Sequence, residues 1–222
     1  MAQRLADYRV FWRQFRQAYN TTGAVLPSGR GLSKALSHYI RNGEPASEGG
    51  PTNPRRILEV GPGTGAVTKQ IARDMRPSDE LTLVERNEEF VKHLQSQLKG
   101  AEYSETRDRI HLVHSGVEEL SEDQPFDLIV SGLPLNNFSV ELVDLLLTKI
   151  RRLLAPGGVL SFFEYVAIRH AKAVVTSGTD RQRLRGIHQI LNGLLKHNEI
   201  RRDLVLANVP PAWVHHVQLT DS

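Results

Sequence analysis

The stretch ILEVGPGTG, residues 57–65, sets three apolar side chains and one carboxylate ahead of a turn holding three glycines and a proline. Ile57, Leu58 and Val60 read as a short buried strand with Glu59 inside it. Glycine tolerates positive φ and lets backbone approach a ligand where a side chain would intervene. In an open parallel sheet, ligands sit beyond the carboxyl ends of the strands, and the first strand-to-helix turn is the usual place. Gly61, Gly63 and Gly65 therefore mark the candidate ligand loop. Their spacing is E-x-G-x-G-x-G, not the G-x-G-x-x-G of a dinucleotide loop. A carboxylate at Glu59 would repel a pyrophosphate and suits a ligand that carries an ammonium group.

Working outward, strands and helices alternate. RILEV (56–60), LTLVE (81–85), RIHLVH (109–114), FDLIVS (126–131) and GGVLSFFEYV (157–166) read as strands. AVTKQIARDM (66–75), NEEFVKHLQSQLKG (87–100), SVELVDLLLTKIRRLLA (139–155) and RQRLRGIHQILNGLLKHN (181–198) carry helical periodicity. RRDLVLANV (201–209) and WVHHVQLT (213–220), separated by Pro210-Pro211, read as an antiparallel hairpin on the sheet edge. This alternation predicts an α/β fold with a mostly parallel sheet covered by helices on both faces.

Ahead of that core, LADYRVFWRQFRQAY (5–19) predicts an amphipathic helix with Tyr8, Phe11, Trp12, Phe15 and Tyr19 on one side. GRGLSKALSHYI (29–40) predicts a second short helix, and NGEPASEGGPTNP (42–54) a linker. The expected organisation is a helical segment over 1–41, a linker over 42–54 and the α/β domain over 55–222.

The chain has 222 residues, a net charge of +3 and no cysteine, which excludes disulfides and thiolate metal sites. No His/Asp/Glu cluster has metal-ligand spacing, so no metal is expected. No window approaches the roughly 18 apolar residues of a membrane span, and the N-terminus lacks the apolar core of a signal peptide. The expected place is the cytoplasm, peripheral to a membrane at most. Residues 1–41 and 169–202 each carry a balance of +6, leaving −9 on the rest. Two basic segments around an acidic middle suit an anionic partner, and equally a solvated basic surface.

The glycine loop resembles motif I of the class I S-adenosylmethionine-dependent methyltransferases. Glu85 at the end of the second strand and the Leu-Leu-Ala-Pro-Gly-Gly turn before the fifth extend the resemblance over about residues 55–166. It implies a Rossmann-like, seven-stranded fold and S-adenosyl-L-methionine as cofactor, with S-adenosyl-L-homocysteine as product. Glu59, Gly61, Gly63 and Gly65 would lie along the methionine and ribose, and Glu85 would accept from the ribose hydroxyls. Many relatives have Asp-Ala after the third strand, whereas this chain has Ser115-Gly116-Val117. Gly116 and the Val117 N–H remain for the adenine, and Glu118 reads as a helix-start charge.

Ser131-Gly132-Leu133-Pro134 follows the fourth strand, where the methyl acceptor would sit. It lacks the amide and aromatic of amino-adenine methyltransferases and resembles the bacterial phospholipid N-methyltransferases. Thr22 to Ser28 and Asn208 to Val214 are similar to segments of that family. The resemblance implies methylation of phosphatidylethanolamine, through its mono- and dimethylated forms, to phosphatidylcholine. Ser131, Tyr19 and Tyr165 are then the candidate catalytic residues, with Ser131 also lining the cofactor. Glu164 and, less favoured, His38, His188, His215 and His216 are further candidate bases.

The first helix would act as a lid over the cofactor, a docking element on an anionic membrane, or both. Arg181, Arg183 and Arg185 in the basic C-terminal segment are candidates for the lipid phosphate. The expected partners are lipid substrate and membrane, without nucleic acid, and the chain is expected to be a monomer. Two rival readings stay open at this point, an rRNA adenine N6-dimethyltransferase and a non-catalytic methyltransferase-fold binding protein.

Overall fold

The computed structural model describes residues 29–42, 54–166, 178–208 and 210–219. The aromatic stripe of 5–19, Tyr19, the 22–28 stretch and most of the expected linker lie outside the described residues.

Seven strands form one sheet: β1 (Arg56–Val60), β2 (Glu80–Glu85), β3 (Ile110–His114), β4 (Phe126–Ser131), β5 (Leu154–Tyr165), β6 (Glu199–Val205) and β7 (Ala212–Gln218). Their order is β3-β2-β1-β4-β5-β7-β6. The first five run parallel, while β7 is antiparallel to both β5 and β6. β6 therefore points the same way as β5 and forms the outer edge. The helices are α1 (Arg30–Leu36), α2 (His38–Asn42), α3 (Ala66–Asp74), α4 (Glu88–Gln97), α5 (Val140–Leu153) and α6 (Gly178–Asn198).

Side-chain alternation along the strands divides the core in two. Leu58, Val60, Ile129, Leu160, Phe162 and Val217 meet α5 and α6. Ile57, Leu83, Leu128, Val130, Phe163 and Val214 meet α1 and α3. Helix α5 shows why such segments fold locally. Ser139 caps it by accepting from the Leu142 N–H at 3.3 Å, and Arg151 and Arg152 occupy its negative C-terminal turn. Leu142, Val143, Leu146, Leu147, Ile150 and Leu153 give it one buried stripe.

Several boundaries differ from expectation, two of them with a clear cause. The 29–40 helix divides at Ser37, whose hydroxyl donates to Asp74 at 2.8 Å instead of facing solvent. Helix α5 stops at Leu153 rather than 155, because Leu154 already pairs with Phe126 and the Pro-Gly-Gly turn is absorbed into β5. Leu32, Leu36 and Ile40 are fully covered, so residues 29–42 pack into the α/β core. Arg55 fastens them there. Its guanidinium donates to the Ile40 carbonyl at 2.9 Å and forks onto Asp79, with both partners buried.

Candidate active site

Glu59, Gly61, Gly63, Gly65, Glu85, Ser131 and Tyr165 all fall at the carboxyl ends of adjacent strands, as the sequence spacing predicts. The loop glycines take φ of 70°, 55° and 77°, a region that side-chain-bearing residues avoid. A Cβ on Gly63 would meet nothing within 4 Å, so the loop opens onto space at that point. Gly65 is the left-handed N-cap of α3.

Glu85 braces this loop. Its Oε2 accepts from the Gly63 N–H at 3.1 Å, and its Oε1 accepts from the Asn87 N–H at 2.7 Å. Burial to 1% exposure raises its pKa, and the N–H bonds oppose that rise. Asn87 caps α4 with its own side chain, which fixes the turn that delivers its N–H to Glu85.

Glu59 is fully buried on the α3 side of β1. Thr68, one turn into α3, donates to Oε2 at 2.7 Å, while Oε1 has no partner. Desolvation pushes the carboxyl up to about 8, against the pull of the Thr68 bond. An acceptor buried without a donor is costly, and it marks a place for a ligand N–H. The open position at Gly63 and this orphaned oxygen both fit a cofactor with an amino-acid end.

Gly132 joins the cofactor loop to the acceptor loop. Its N–H donates to the Val60 carbonyl at 2.8 Å, and a Cβ there would stand 2.6 Å from the Gly61 carbonyl oxygen. No side chain fits. Ser131 is buried, and its hydroxyl accepts a long bond from the Leu133 N–H at 3.4 Å, which holds the turn. Tyr165 leans on the α1–α3 side of the sheet, edge-on to Phe163 at 5.0 Å, and burial raises its phenol pKa. Less phenolate is then present at neutral pH than in an ordinary tyrosine, so less of the basic form is available.

Gly116 and Val117 follow β3, with Val117 buried in the core. Glu118 is more than a helix-start charge, because it pairs with Arg86, which also reaches Glu119 at 3.1 Å. Arg183 is engaged through Nη1 and Nε. It gives hydrogen bonds to the Asn136 and Phe138 carbonyls at 2.8 Å each and pairs with Asp180, so it braces the loop after β4.

Two histidines in β7 take opposite faces. His216 is buried, with Nδ1 2.8 Å from the Ser161 hydroxyl and Nε2 3.4 Å from Asp203. Desolvation pushes it down to about 4, so it is neutral and structural, beside the His38 and Tyr39 rings. His215 stacks on Phe162 at 5.3 Å, on the same side of the sheet as Ser131. Its Nδ1 lies 2.6 Å from Glu199, and its buried Nε2, otherwise without a hydrogen-bond partner, lies 3.9 Å from Glu164. Glu164 is two residues beyond Phe162, one pleat nearer the ligand end, and its side chain is 13% exposed. Thr68, Asn87 and Glu199 did not stand out in sequence as site residues, while Gly132 entered only as part of the loop after β4 and His215 only as a less favoured base. The N-cap position of Asn87 is a signal that could have drawn attention to it.

Residues 57–158 match the family described as "methyltransferase domain". The chain is 30% identical over 160 residues to an ornithine lipid N-methyltransferase of Singulisphaera acidiphila, covering 69% of this chain and 76% of that protein. It is also 30% identical over 110 residues to the ubiquinone/menaquinone biosynthesis C-methyltransferase UbiE of Hahella chejuensis, covering 49% and 42%. Among solved structures, the fold is similar to a 1,6-didemethyltoxoflavin-N1-methyltransferase of Burkholderia thailandensis with bound S-adenosylhomocysteine. That match has a TM-score of 0.63 at 18% identity and covers 97% of this chain and 90% of the other.

The chain belongs to the class I S-adenosylmethionine-dependent methyltransferases. S-Adenosylmethionine is its cofactor.

Proposed function

We propose that this methyltransferase acts on the amine of phosphatidylethanolamine and carries it towards phosphatidylcholine at a membrane surface. The observation that carries the reading is the likeness, over more than two thirds of the chain, to an enzyme whose name specifies lipid and nitrogen as the methyl acceptor. The Ser131-Gly132-Leu133-Pro134 loop agrees, since it lacks the amide and aromatic that an adenine acceptor would require. Among the described residues no helix is long and apolar enough to cross a membrane.

When bound, S-adenosylmethionine supplies a methyl group on a sulfonium. Gly61, Gly63 and Gly65 would line its methionine and ribose, Glu85 would accept from the ribose hydroxyls, and Gly116 and Val117 would flank the adenine. Glu59 Oε1 would take a proton donor from the amino-acid end. Ser131 would close the wall beside the methyl group and Tyr165 would border the acceptor, while Tyr19, the other candidate, lies outside the described residues.

An ethanolamine ammonium must lose a proton before its nitrogen can attack. Glu164 has the position for that proton, at the strand end on the Ser131 side. His215, itself bound to Glu199 at 2.6 Å, lies behind the carboxylate with Nε2 3.9 Å from it. This replaces Ser131 and Tyr165 as the base and leaves them as walls.

The test is a radiolabel assay with vesicles of phosphatidylethanolamine, ornithine lipid or neither, and with unmodified rRNA. Label in mono-, di- and trimethylated ethanolamine lipid is expected. Glu164→Gln should lower turnover about a hundredfold, with the deficit shrinking as pH rises and more amine arrives neutral. Label in ornithine lipid alone would move the substrate, and label in RNA alone would reject the lipid reading. Undiminished turnover by the Gln variant would remove Glu164 as the base.

Glu59 makes cofactor binding pH-dependent. An unfolded glutamate ionises near 4.5, whereas folded Glu59 keeps its proton to about 8. Between those values the folded protein holds the extra proton, so stability falls as pH rises through the window. A ligand ammonium at Oε1 favours the carboxylate, so binding in that window releases a proton. Calorimetry of cofactor binding near neutral pH, in buffers of different ionisation enthalpy, should show release in the native protein and none in Glu59→Gln. Equal proton release in both would dissociate Glu59 from the ammonium.

A further inference from the structure

We infer that the free edge of the sheet, strand β6 and the turn that follows it, is a docking surface for an anionic lipid bilayer. The inference rests on the lipid reading above and names the surface through which that substrate is reached.

Among the described residues the exposed large hydrophobics are Ile200, Leu204 and Leu206, at 45%, 43% and 70% exposure. All three fall within seven consecutive positions on the edge strand and its turn. Edge strands are ordinarily blunted by charge or covered, because their unpaired backbone groups and apolar side chains invite association. Apolar residues gathered on one edge and rimmed by polar ones mark an interaction site.

The register shows what surrounds them. Leu204 pairs with Trp213 of β7, and Trp213 pairs with Glu164 of β5, so the three side chains share one face. Arg202 places its guanidinium 4.7 Å from the centre of the Trp213 ring, and among the described residues it makes no ion pair. A leucine pair, a tryptophan and an arginine stacked on it form a combination suited to a bilayer interface. The ring sits at headgroup depth, the leucines reach the acyl boundary, and the cation meets lipid phosphate.

Position favours a bilayer over a protein partner. Because β7 turns the chain back, β6 runs parallel to β5, and its carboxyl end lies at the same end of the sheet as Glu164, Tyr165 and the glycine loop. Leu206 therefore projects beyond the sheet on the side where the acceptor must enter. A headgroup leaving a bilayer gripped at Leu204 and Leu206 starts beside the site.

The test compares native protein with Leu204→Glu/Leu206→Glu and with the milder Leu206→Ser, which lies in a turn and leaves the strand intact. Flotation would use vesicles of phosphatidylethanolamine with phosphatidylglycerol, and activity would be read on monomeric short-chain phosphatidylethanolamine. The double variant is expected to lose vesicle binding by tenfold or more, and the single variant by a smaller factor. Both should keep turnover of the monomeric lipid within twofold. In a Trp12→Phe background, Trp213 fluorescence should be quenched by brominated lipid. Unchanged flotation with unquenched Trp213 would overturn the proposal. So would a native dimer that becomes monomeric in the variants while vesicle binding persists, since the edge would then join two copies. Lost flotation in the variants, with no lipid methylated by the native protein, would sustain the docking surface and reject the substrate reading instead.

Discussion

Asp79→Ala is expected to lower the unfolding free energy by about 3–5 kcal/mol, the cost of stranding a buried charge. The charge is Arg55. Asp79 accepts from its guanidinium, from its backbone N–H at 3.3 Å and from the Arg76 N–H at 2.8 Å, all within the core. Without Asp79 the guanidinium keeps only carbonyl partners on α2, and no water replaces the lost carboxylate. A loss of that size is a large part of the roughly 5–15 kcal/mol that holds a typical domain folded. Chemical denaturation with matched m-values would measure it. A change under about 1 kcal/mol would mean that Arg55 finds solvent, and that α1 and α2 are held by their leucines alone. Arg55→Met with Asp79→Leu should recover most of the loss, because an apolar pair of similar volume avoids both desolvation costs.

Glu85→Ala should weaken S-adenosylmethionine binding by roughly a hundredfold, about 3 kcal/mol. Two effects add. The ligand hydroxyls lose a charged acceptor, and the Gly63 and Asn87 N–H groups lose the oxygens that set the loop's shape. Glu85→Gln keeps one carbonyl acceptor and should fall between the two, roughly tenfold weaker than native. Calorimetry on the folded variants would separate the cases. Affinity within twofold of native in the alanine variant would assign Glu85 to loop stability alone.

The glycine loop and the strand–helix alternation were legible because both are local. Positive φ at Gly61, Gly63 and Gly65 follows from a turn that no other residue enters cheaply, and burial on both faces makes β1 and β4 read as apolar runs. The end of α5 was not legible. Leu153 and Leu154 are both apolar, and only pairing of Leu154 with Phe126 decides that the second belongs to a strand. Arg183, a candidate for the lipid phosphate, has contacts that were not legible for a related reason. Helical spacing places it on a polar side, but the carbonyls of Asn136 and Phe138 that take its hydrogen bonds lie more than 40 residues away. Glu164 and His215 were separate candidate bases in the sequence and Glu199 was none, until the antiparallel return of β7 aligned the three. The edge of β6 was likewise hidden, since an alternating strand gives no sign of whether a neighbour covers it.

The contact between Gly132 and the Gly61 carbonyl has a consequence for how this enzyme could diversify. The glycine loop, proposed to grip the methyl donor, and the loop after β4, proposed to face the acceptor, touch backbone to backbone, with no side chain to absorb a shift. A substitution that reshapes residues 133–138 for a bulkier headgroup must displace the donor loop as well. New acceptors would then emerge with altered donor affinity, and changes confined to an outlying wall, such as Tyr165, offer the route that leaves the donor grip intact.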